Sequence, residues 1–515
     1  MYIAPLYHWP AKSKWNHIIS SKRVWGDFSI YLHYPYCRKI CDFCGYETRL
    51  INKAGAQQIP NLFLDEITNH FNYDDFSNAK LNSIFFGGGT ASLMKPSEIS
   101  KILKLIEKKS KNGLENVEIT LECEPGTVDK KRLQELKQIG VNRISVCAQS
   151  FSNDDLKNLT RMHSNSEIYK LVEDCVSAGF ENIHLDLIFG IPGQTLDTWL
   201  KNIEIAISLP FVHLSMYRLY VFKYGKYERN NIILRPDKQP KQVLTETETM
   251  FNEGLKMLEK AGFKQYSLSE YAKDNRKCKY LLNAFDGSDI LPIGPSAFGG
   301  SGSELWENSP YVHKYSDLLE WEKDKRVFNL NNSDLFKRKV ILGLWLLKVN
   351  LEFISKQQNI KPSKELLNLL NELSKNNLIC FDGKVISLLP EHRYNVGLVM
   401  EKLDELDSSL WISNNLTNHI DKNTSELYKH PDFNSLNSII RMSRRDPDFY
   451  YLLKNNPRLT ISNIDVVFDD DIRQLLINVI SDKADFSDQL TDIEVFFMNS
   501  WKDITNENNN KIGVL

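Results

Sequence analysis

No run of apolar residues in this 515-residue sequence approaches the ~20 residues that a membrane-spanning helix needs. The first residues, MYIAPLYHWPAKSKW, lack the basic segment and following apolar stretch of a secretory signal peptide. The formal net charge is only −2, so bulk charge supplies no attraction for nucleic acid or an anionic membrane. We therefore expect a cytoplasmic protein without a membrane or nucleic-acid partner.

Cysteine is also scarce, with 8 in the chain, and its distribution excludes a disulfide framework. Five cysteines, at positions 123, 147, 175, 278 and 380, are scattered and mostly lie inside apolar segments, which indicates buried free thiols. The other three, Cys37, Cys41 and Cys44, are crowded into the segment CRKICDFC. This segment therefore offers three closely spaced thiols and no fourth.

Apolar, strand-like runs alternate with amphipathic helical segments from position 28 onward. Six strand–helix units in series indicate parallel strands with right-handed crossovers. Six units are too few for a closed eight-unit barrel, and a doubly wound sheet is the alternative; in either, the chemistry gathers at the C-terminal ends of the strands. We predict strands at 28–34, 82–88, 116–123, 143–149, 182–190 and 213–220, and helices at 61–71, 97–109, 129–140, 166–179, 195–209 and 241–262.

The composition changes several times along the chain. A mixed, turn-rich stretch follows the six units, and 333–400 then has the pattern of a small helical domain with a winged hairpin around Asp382-Gly383. The predicted segments are an N-terminal segment at 1–27, the α/β core at 28–222, the turn-rich region at 223–330, the helical and winged domain at 331–402, and a separate helical module at 403–515.

The three crowded cysteines have two uses to be weighed. A structural zinc site needs four closed ligands, yet no second Cys or His pair follows, and His33, the nearest candidate, lies on the preceding predicted strand. Three thiolates instead suit a four-iron cluster with one iron left open, which can bind a small chelating ligand and pass it an electron. Inert thiols are the remaining alternative.

The spacing Cys37-x3-Cys41-x2-Cys44, with Phe43 before the last cysteine, resembles the radical S-adenosylmethionine (SAM) enzymes. In those enzymes the open iron of a [4Fe-4S] cluster binds SAM, and one electron cleaves it to methionine and a 5′-deoxyadenosyl radical. The longer segment YLHYPYCRKICDFCGY is similar to the YxHxPFC opening of the oxygen-independent coproporphyrinogen III oxidase family. That family includes the oxidase, haem chaperones, anaerobic haem-degrading methyltransferases and class C methylases.

The resemblance runs from about 28 to 400 and implies an α/β fold: a partial (β/α)6 radical SAM barrel, a smaller C-terminal helical and winged domain, and an extra helical tail. It makes 28–222 the radical SAM core and 223–330 an extension of the barrel that covers the substrate. It also implies SAM contacts, although each residue taken alone could be an ordinary turn or strand-end residue. These residues are Tyr31 and Phe43; Gly88, Gly89 and Thr90 of FFGGGTAS; Glu122 of LECEPGT; and Gln149, Arg161 and Asp186. In the family, the last three line a second SAM or substrate site.

Several residues depart from the family pattern. Glu270 and Phe298 replace the usual Asn and His, and Ala91 replaces a proline. Tyr46 stands where the oxidase has a fourth cysteine, and Gly45 differs from the residue usual in haem chaperones. The segment CDFCGY is more similar to the haem-degrading and class C methylase branches.

We therefore expect methyl or methylene transfer from a second SAM to an sp² carbon of a planar, tetrapyrrole-like or other small substrate, with a flavodoxin or ferredoxin as electron donor. The alternatives are oxidase-like decarboxylation and a haem-binding chaperone without turnover. For the chaperone, His163, His184 and His213 are candidate haem ligands, although a lone histidine is more often structural. No catalytic residue is predicted.

Overall fold

The computed structural model describes residues 15–16, 23–219, 241–273, 276–310, 325–394, 396–406 and 410–412. All of them belong to the first of the two units into which the chain divides, residues 1–414. The helical module predicted at 403–515 therefore lies almost entirely outside the described residues. The same is true of most of the N-terminal segment predicted at 1–27.

A single 13-stranded sheet forms the centre of the described structure. Its strands are β1 Trp15–Asn16, β2 Phe28–Tyr34, β5 Leu81–Gly88, β6 Glu118–Cys123, β7 Arg143–Gln149, β8 Ile183–Phe189, β9 His213–Arg218, β10 Lys264–Gln265, β11 Glu270–Ala272, β12 Asp289–Ile293, β13 Phe298–Ser301, β14 Glu304–Glu307 and β15 Arg326–Asn329. Two short strands, β3 Tyr36–Cys37 and β4 Arg49–Leu50, form a separate pair.

The six predicted strands are confirmed, and they lie side by side in chain order as a parallel sheet, β2-β5-β6-β7-β8-β9. Their side chains are buried on nearly every position, as both faces of a covered parallel sheet require. The sheet also extends further than the sequence predicts. Strand β12 adds in parallel to β2, and β13, β14, β15 and β1 continue from it as antiparallel strands.

Twelve α-helices are described, and six of them are the helices predicted between and after the core strands. Helix α1 begins at Lys53, well before the predicted position 61, and passes through Pro60. The side chain of Asn52 caps it by accepting from the Gly55 N–H at 2.7 Å. Ile59 and Phe63 are fully buried on either side of the proline, and burying both side chains offsets the roughly 3 kcal/mol that an internal proline costs. The helices are α1 Lys53–Tyr73, α2 Pro96–Lys109, α3 Lys130–Gln138, α4 Asn153–Asn158, α5 Asn165–Ser177, α6 Leu196–Ser208, α7 Lys241–Lys260, α8 Lys279–Asp286, α9 Asn332–Gly343, α10 Leu351–Gln358, α11 Lys364–Lys375 and α12 Val396–Glu405.

The elements after position 331 surround their own apolar cluster. Helices α9 to α12 pack around a three-stranded antiparallel sheet of β16 Lys348–Asn350, β18 Val385–Leu388 and β17 Ile379–Phe381. The predicted hairpin turn is present between β17 and β18, and Gly383 adopts the left-handed φ of +89° that such a turn favours.

One face of the parallel sheet is concave. Arg143, the first residue of β7, reaches His213, the first residue of β9, across the intervening strand β8, with Nη2 and Nδ1 3.0 Å apart. Among the described strands the two outermost, β1 and β10, do not pair with each other, so the sheet is an open, partial barrel. In the described part of the chain, none of the helices has the length and apolar character needed to cross a bilayer.

Candidate cofactor site

The three cysteines lie on one loop at the C-terminal end of β2. The loop is closed at its base by the parallel pairing of β3 with β4, where the Ile51 N–H donates to the Cys37 carbonyl at 2.8 Å. Within the loop, the Cys44 N–H donates to the Cys41 carbonyl at 3.1 Å. All three side chains are free thiols. One short loop therefore holds the three thiols together at the edge where the parallel strands end.

A chain of polar contacts ties this loop to the neighbouring strand ends. One guanidinium nitrogen of Arg161 lies 3.3 Å from the Cys41 sulfur, and another lies 3.1 Å from a carboxylate oxygen of Glu124. Glu124 in turn accepts from the Thr90 hydroxyl at 3.3 Å. The Arg161 side chain is only 9% exposed, so its guanidinium charge lies beside the Cys41 sulfur with little screening by solvent.

The glycine-rich segment after β5 packs directly against the cysteine loop. The N–H groups of Gly89 and Thr90 donate to the carbonyls of Tyr34 and Tyr36 at 2.7 and 2.9 Å. A Cβ on Gly89 would lie 2.8–3.0 Å from Tyr34 O, Tyr36 O and the Cys37 sulfur, closer than real Cβ atoms approach. The glycine is therefore required by the close approach of two backbone segments.

Gly88 uses its freedom differently. Its φ of +104° suits glycine, and its N–H donates to the Glu122 carboxylate. The glycine-rich sequence predicts that such N–H groups bind a ligand. In the structure, the N–H groups of Gly88, Gly89 and Thr90 all bond within the protein. The segment holds strand ends in place, and its contacts to SAM stay a prediction.

Two carboxyl groups face the concave side of the sheet. Burial raises the pKa of Glu122 to about 8, and the nearby Asp186 raises it further. Burial also raises the pKa of Asp186 to about 6, although hydrogen bonds from Ser145, Ser215 and Cys147 oppose this rise. Both side chains are partly accessible, so this face presents two acids that hold protons more tightly than free carboxylic acids do.

The remaining predicted SAM contacts surround the same strand ends. Gln149 ends β7 with a left-handed φ of +71°, beside an irregularity in the pairing of β7 with β8. Phe43 packs in a small apolar cluster with Ile188 and Leu219. The Tyr31 hydroxyl bonds His33 Nδ1 at 3.1 Å, and its ring stacks on Tyr280. Strand topology thus brings most of the predicted residues to the C-terminal edge of the parallel sheet, whereas Tyr31 lies in the middle of β2.

The residues fit an iron–sulfur cluster better than a four-ligand zinc site. His33 is 2% exposed and its Nε2 bonds the Glu47 carbonyl at 3.0 Å, so it is engaged elsewhere. Burial raises the pKa of Cys44 to about 12, and a metal centre would displace that proton on binding. When bound at three thiolates, such a cluster supplies the electron that cleaves SAM.

The three candidate haem ligands are already bonded inside the protein. His163 is 5% exposed and bonds the Ala148 carbonyl at 3.1 Å. His184 lies between two serine hydroxyls, and His213 lies between Arg143 and Tyr266. The structural reading of these histidines, which the sequence left open, is therefore the better one.

The sequence did not identify Glu124 or Tyr217 as residues of this region, and it marked Glu270 only as a departure from the family pattern. Glu124 was passed over, although it follows Glu122 by two positions and period-2 alternation puts both on one face. Tyr217 carries no motif, but its hydroxyl donates to Glu270 at 2.9 Å. Glu270 itself is 1% exposed, and burial raises its pKa to about 7.

Comparison with known proteins agrees with this site. The family model of the radical SAM superfamily matches residues 31–206. The heme chaperone HemW of Haemophilus influenzae is 36% identical over 275 residues, which cover 53% of this chain and 70% of that protein. The heme chaperone HemW of Buchnera aphidicola subsp. Schizaphis graminum is 30% identical over 321 residues, covering 60% and 77%. The chain belongs to the radical SAM, coproporphyrinogen III oxidase-like family.

The cofactors of this radical SAM protein are a [4Fe-4S] cluster and SAM. Its fold is similar to that of the coproporphyrinogen III oxidase HemN from Escherichia coli, with a TM-score of 0.63 and 22% identity over 74% of this chain and 90% of that one. This similarity establishes the fold and leaves the reaction to be tested.

Proposed function

We propose that this radical SAM protein is a haem-binding protein of the chaperone type. It would hold the cluster on Cys37, Cys41 and Cys44 and bind SAM at the adjoining strand ends. The observation that supports this function is the 30–36% identity to heme chaperones across 70–77% of their length. The three bonded histidines are not proposed as haem ligands.

The methyl transfer expected from the sequence has less support. It rested on Gly45 and Tyr46, the two residues that directly follow the third cysteine, whereas the similarity to heme chaperones extends over hundreds of residues. Tyr46, in place of the fourth cysteine of the oxidase, also weighs against oxidase-like decarboxylation. Haem carriage is therefore the first function to test.

The test combines haem binding with product analysis. The protein is reconstituted with iron and sulfide under anaerobic conditions and titrated with haem, following the haem absorption spectrum. SAM and dithionite are then added, and 5′-deoxyadenosine and S-adenosylhomocysteine are quantified by mass spectrometry with and without haem. For a carrier we expect stoichiometric haem binding and recovery of unmodified haem.

Three results would contradict the proposed haem carriage. Haem-dependent formation of both products together, with a methylated tetrapyrrole, would establish methyl transfer instead. Deoxyadenosine without S-adenosylhomocysteine, together with a decarboxylated porphyrinogen when that substrate is supplied, would establish the oxidase reaction. Absence of stoichiometric haem binding would also count against the proposal.

The cluster assignment has its own test. Cys44→Ala should reduce the iron content after reconstitution from about four atoms per chain to below about one, because a ligand of the cluster is lost. Cys175→Ala is the matched control, since Cys175 is a fully buried thiol on α5. Equal iron content in the two variants would contradict the assignment.

A further inference from the structure

Five side chains on the concave face form an unbroken line of hydrogen bonds that begins at Asp186, passes through His184 nearer the N-terminal ends of the strands, and ends at Glu270, which lies level with Asp186. The Ser145 hydroxyl lies 3.1 Å from Asp186 Oδ2 and 2.8 Å from His184 Nδ1. His184 Nε2 lies 2.6 Å from the Ser215 hydroxyl, which lies 2.6 Å from Glu270 Oε2. Two carboxyl groups are thus joined through a serine, an imidazole and a second serine.

The number of hydrogens in this line determines its protonation. Each serine has one hydroxyl hydrogen, and a neutral imidazole has one N–H. If both serines donated to ionised carboxylates, His184 would have to donate from both nitrogens and carry a positive charge. Burial, together with His213 and Arg143, lowers the pKa of His184 well below its ordinary value, so the ring is neutral. One of the two carboxyls therefore carries a proton.

The surroundings of Glu270 show which of its oxygens takes part. Glu270 Oε1 accepts from the Tyr217 hydroxyl at 2.9 Å and from the Ser269 hydroxyl at 3.1 Å. A proton on Glu270 therefore belongs on Oε2, the atom that faces Ser215. Burial raises the pKa of Glu270 to about 7 and that of Asp186 to about 6. Because these two pKa values are close, the proton can reside on either acid.

A metal ion is the competing use of this region, because ligand atoms of His184, His213 and Glu270 all lie within 4.8 Å of one another. Arg143 argues against it. A guanidinium only donates, so His213 Nδ1, at 3.0 Å from Arg143, accepts. The single hydrogen of the neutral His213 ring then sits on Nε2, which donates to the Tyr266 hydroxyl at 2.7 Å and has no lone pair for a cation.

We propose that Asp186, Ser145, His184, Ser215 and Glu270 form a proton relay, with the partly exposed Asp186 as the end that exchanges protons with solvent and Glu270 as the buried store. One transfer moves a proton from Glu270 to Ser215, from Ser215 to His184 Nε2, from His184 Nδ1 to Ser145 and from Ser145 to Asp186. Each group except the two acids ends with as many hydrogens as it began with. His184 changes tautomer, stays neutral, and no electrons are transferred.

Ser215 belongs to both of the routes between the acids that the described hydrogen bonds form. Besides its contacts to His184 and Glu270, its hydroxyl also bonds Asp186, which offers a shorter path of the same kind. The titratable and charged groups that face the two acids are Glu122 on β6, Arg143 and Cys147 on β7, His213 and Tyr217 on β9, and Tyr266 before β11.

The experiment measures how fast the Glu270 carboxyl exchanges its hydrogen. At about pH 6 the carbonyl stretch of a protonated carboxylic acid is followed by infrared spectroscopy while the full-length protein is moved from H2O to D2O. Glu270→Gln assigns the band by its loss. Because Glu270 is 1% exposed, rapid exchange requires a route through other groups.

We expect Ser215→Ala to slow this exchange at least tenfold. Ser83→Ala is the matched control. Ser83 is also a fully buried serine on a core strand, and the described hydrogen bond of its hydroxyl goes to Ser29, which is not a member of the relay. Its exchange should equal that of the wild type. If Ser215→Ala does not fold, Asp186→Asn replaces it, since the amide oxygen can still accept from Ser145 but the amide cannot hold the transferred proton.

Two outcomes would overturn the relay. One is exchange in Ser215→Ala, or in Asp186→Asn, as fast as in the wild type. The other is a wild-type spectrum without a carboxylic acid band that Glu270→Gln removes. The measurement needs neither haem nor SAM, so its result is independent of the proposed chaperone function.

Discussion

The carboxyl group of Glu122 shows how strongly one residue in this site responds to its surroundings. Burial raises its pKa from 4.5 to about 8, and only the Gly88 N–H and the more distant Arg143 favour its charged form. The folded chain therefore binds this proton more tightly than the unfolded chain. The resulting contribution to stability is complete below about pH 4.5 and is lost as pH rises through about 8.

Replacing Glu122 by Gln should remove this dependence on pH. We expect the free energy of unfolding of Glu122→Gln, relative to that of the wild type, to be larger by about 1–2 kcal/mol at pH ~8.5 than at pH ~5.5, so that the variant is relatively more stable at the higher pH; this magnitude is reduced for the partial exposure of the side chain. Urea unfolding of the protein without cofactors at both pH values measures it. Glu115→Gln, at an exposed turn, should give the same difference at both. A pH-independent difference for Glu122→Gln would show that the carboxyl is ionised throughout.

At the scale of elements, the site depends on how closely β5 and the cysteine loop approach each other. Both segments follow parallel neighbouring strands, β2 and β5, so they leave the sheet at the same edge. Hydrogen bonds from Gly89 and Thr90 to the backbone at Tyr34 and Tyr36 then hold them together. A side chain at position 89 would force the two segments apart.

Gly89→Ala should therefore destabilise the fold by about 1–3 kcal/mol, as overpacking does, and lower the iron content after reconstitution. The control is Gly26→Ala, where the new Cβ would meet only Asp289 at an ordinary 3.5 Å. Urea unfolding and iron analysis of both variants measure the effects. Gly89→Ala with wild-type stability and iron content would show that the loop adapts at no cost.

At the scale of the whole described chain, buried polar residues join parts of the sequence that are far apart. Glu66 of α1 is fully buried, and its carboxylate accepts from the Gly294 N–H at 2.8 Å and from the Asn308 side chain at 3.0 Å. These contacts fasten the first helix to the strands that extend the parallel sheet beyond β2.

Glu66→Ala should cost about 3–5 kcal/mol, because it leaves buried donors without their acceptor. Glu66→Gln should cost less, since its amide oxygen can still accept one of the bonds. Thermal or urea unfolding of the two variants measures the difference, with Asp65→Ala, at an exposed position, as control. Equal stability of Glu66→Ala and the control would mean that these contacts do not fasten the sheet.

Local pattern was enough to predict the six core strands and their parallel order, and it is also the basis for assigning the cluster to three cysteines, which stays a prediction. Strand periodicity, helical spacing and the x3-x2 separation of Cys37, Cys41 and Cys44 are properties of neighbouring residues, so the sequence alone contains them. The hairpin at Asp382-Gly383 was predictable for the same reason. Helix α1 was predicted too short, because the local cost of Pro60 was visible in the sequence and the burial that offsets it was not.

Only the tertiary structure decided which groups meet on the concave face. Glu270 lies on β11, which pairs antiparallel with β9 and so brings an acid from outside the six-strand core beside His184, Ser215 and Tyr217. Likewise, the contact of Arg143 with His213 across β8 follows from the curvature of the sheet. Long-range strand pairing and curvature place these side chains, and neither leaves a local pattern in the chain.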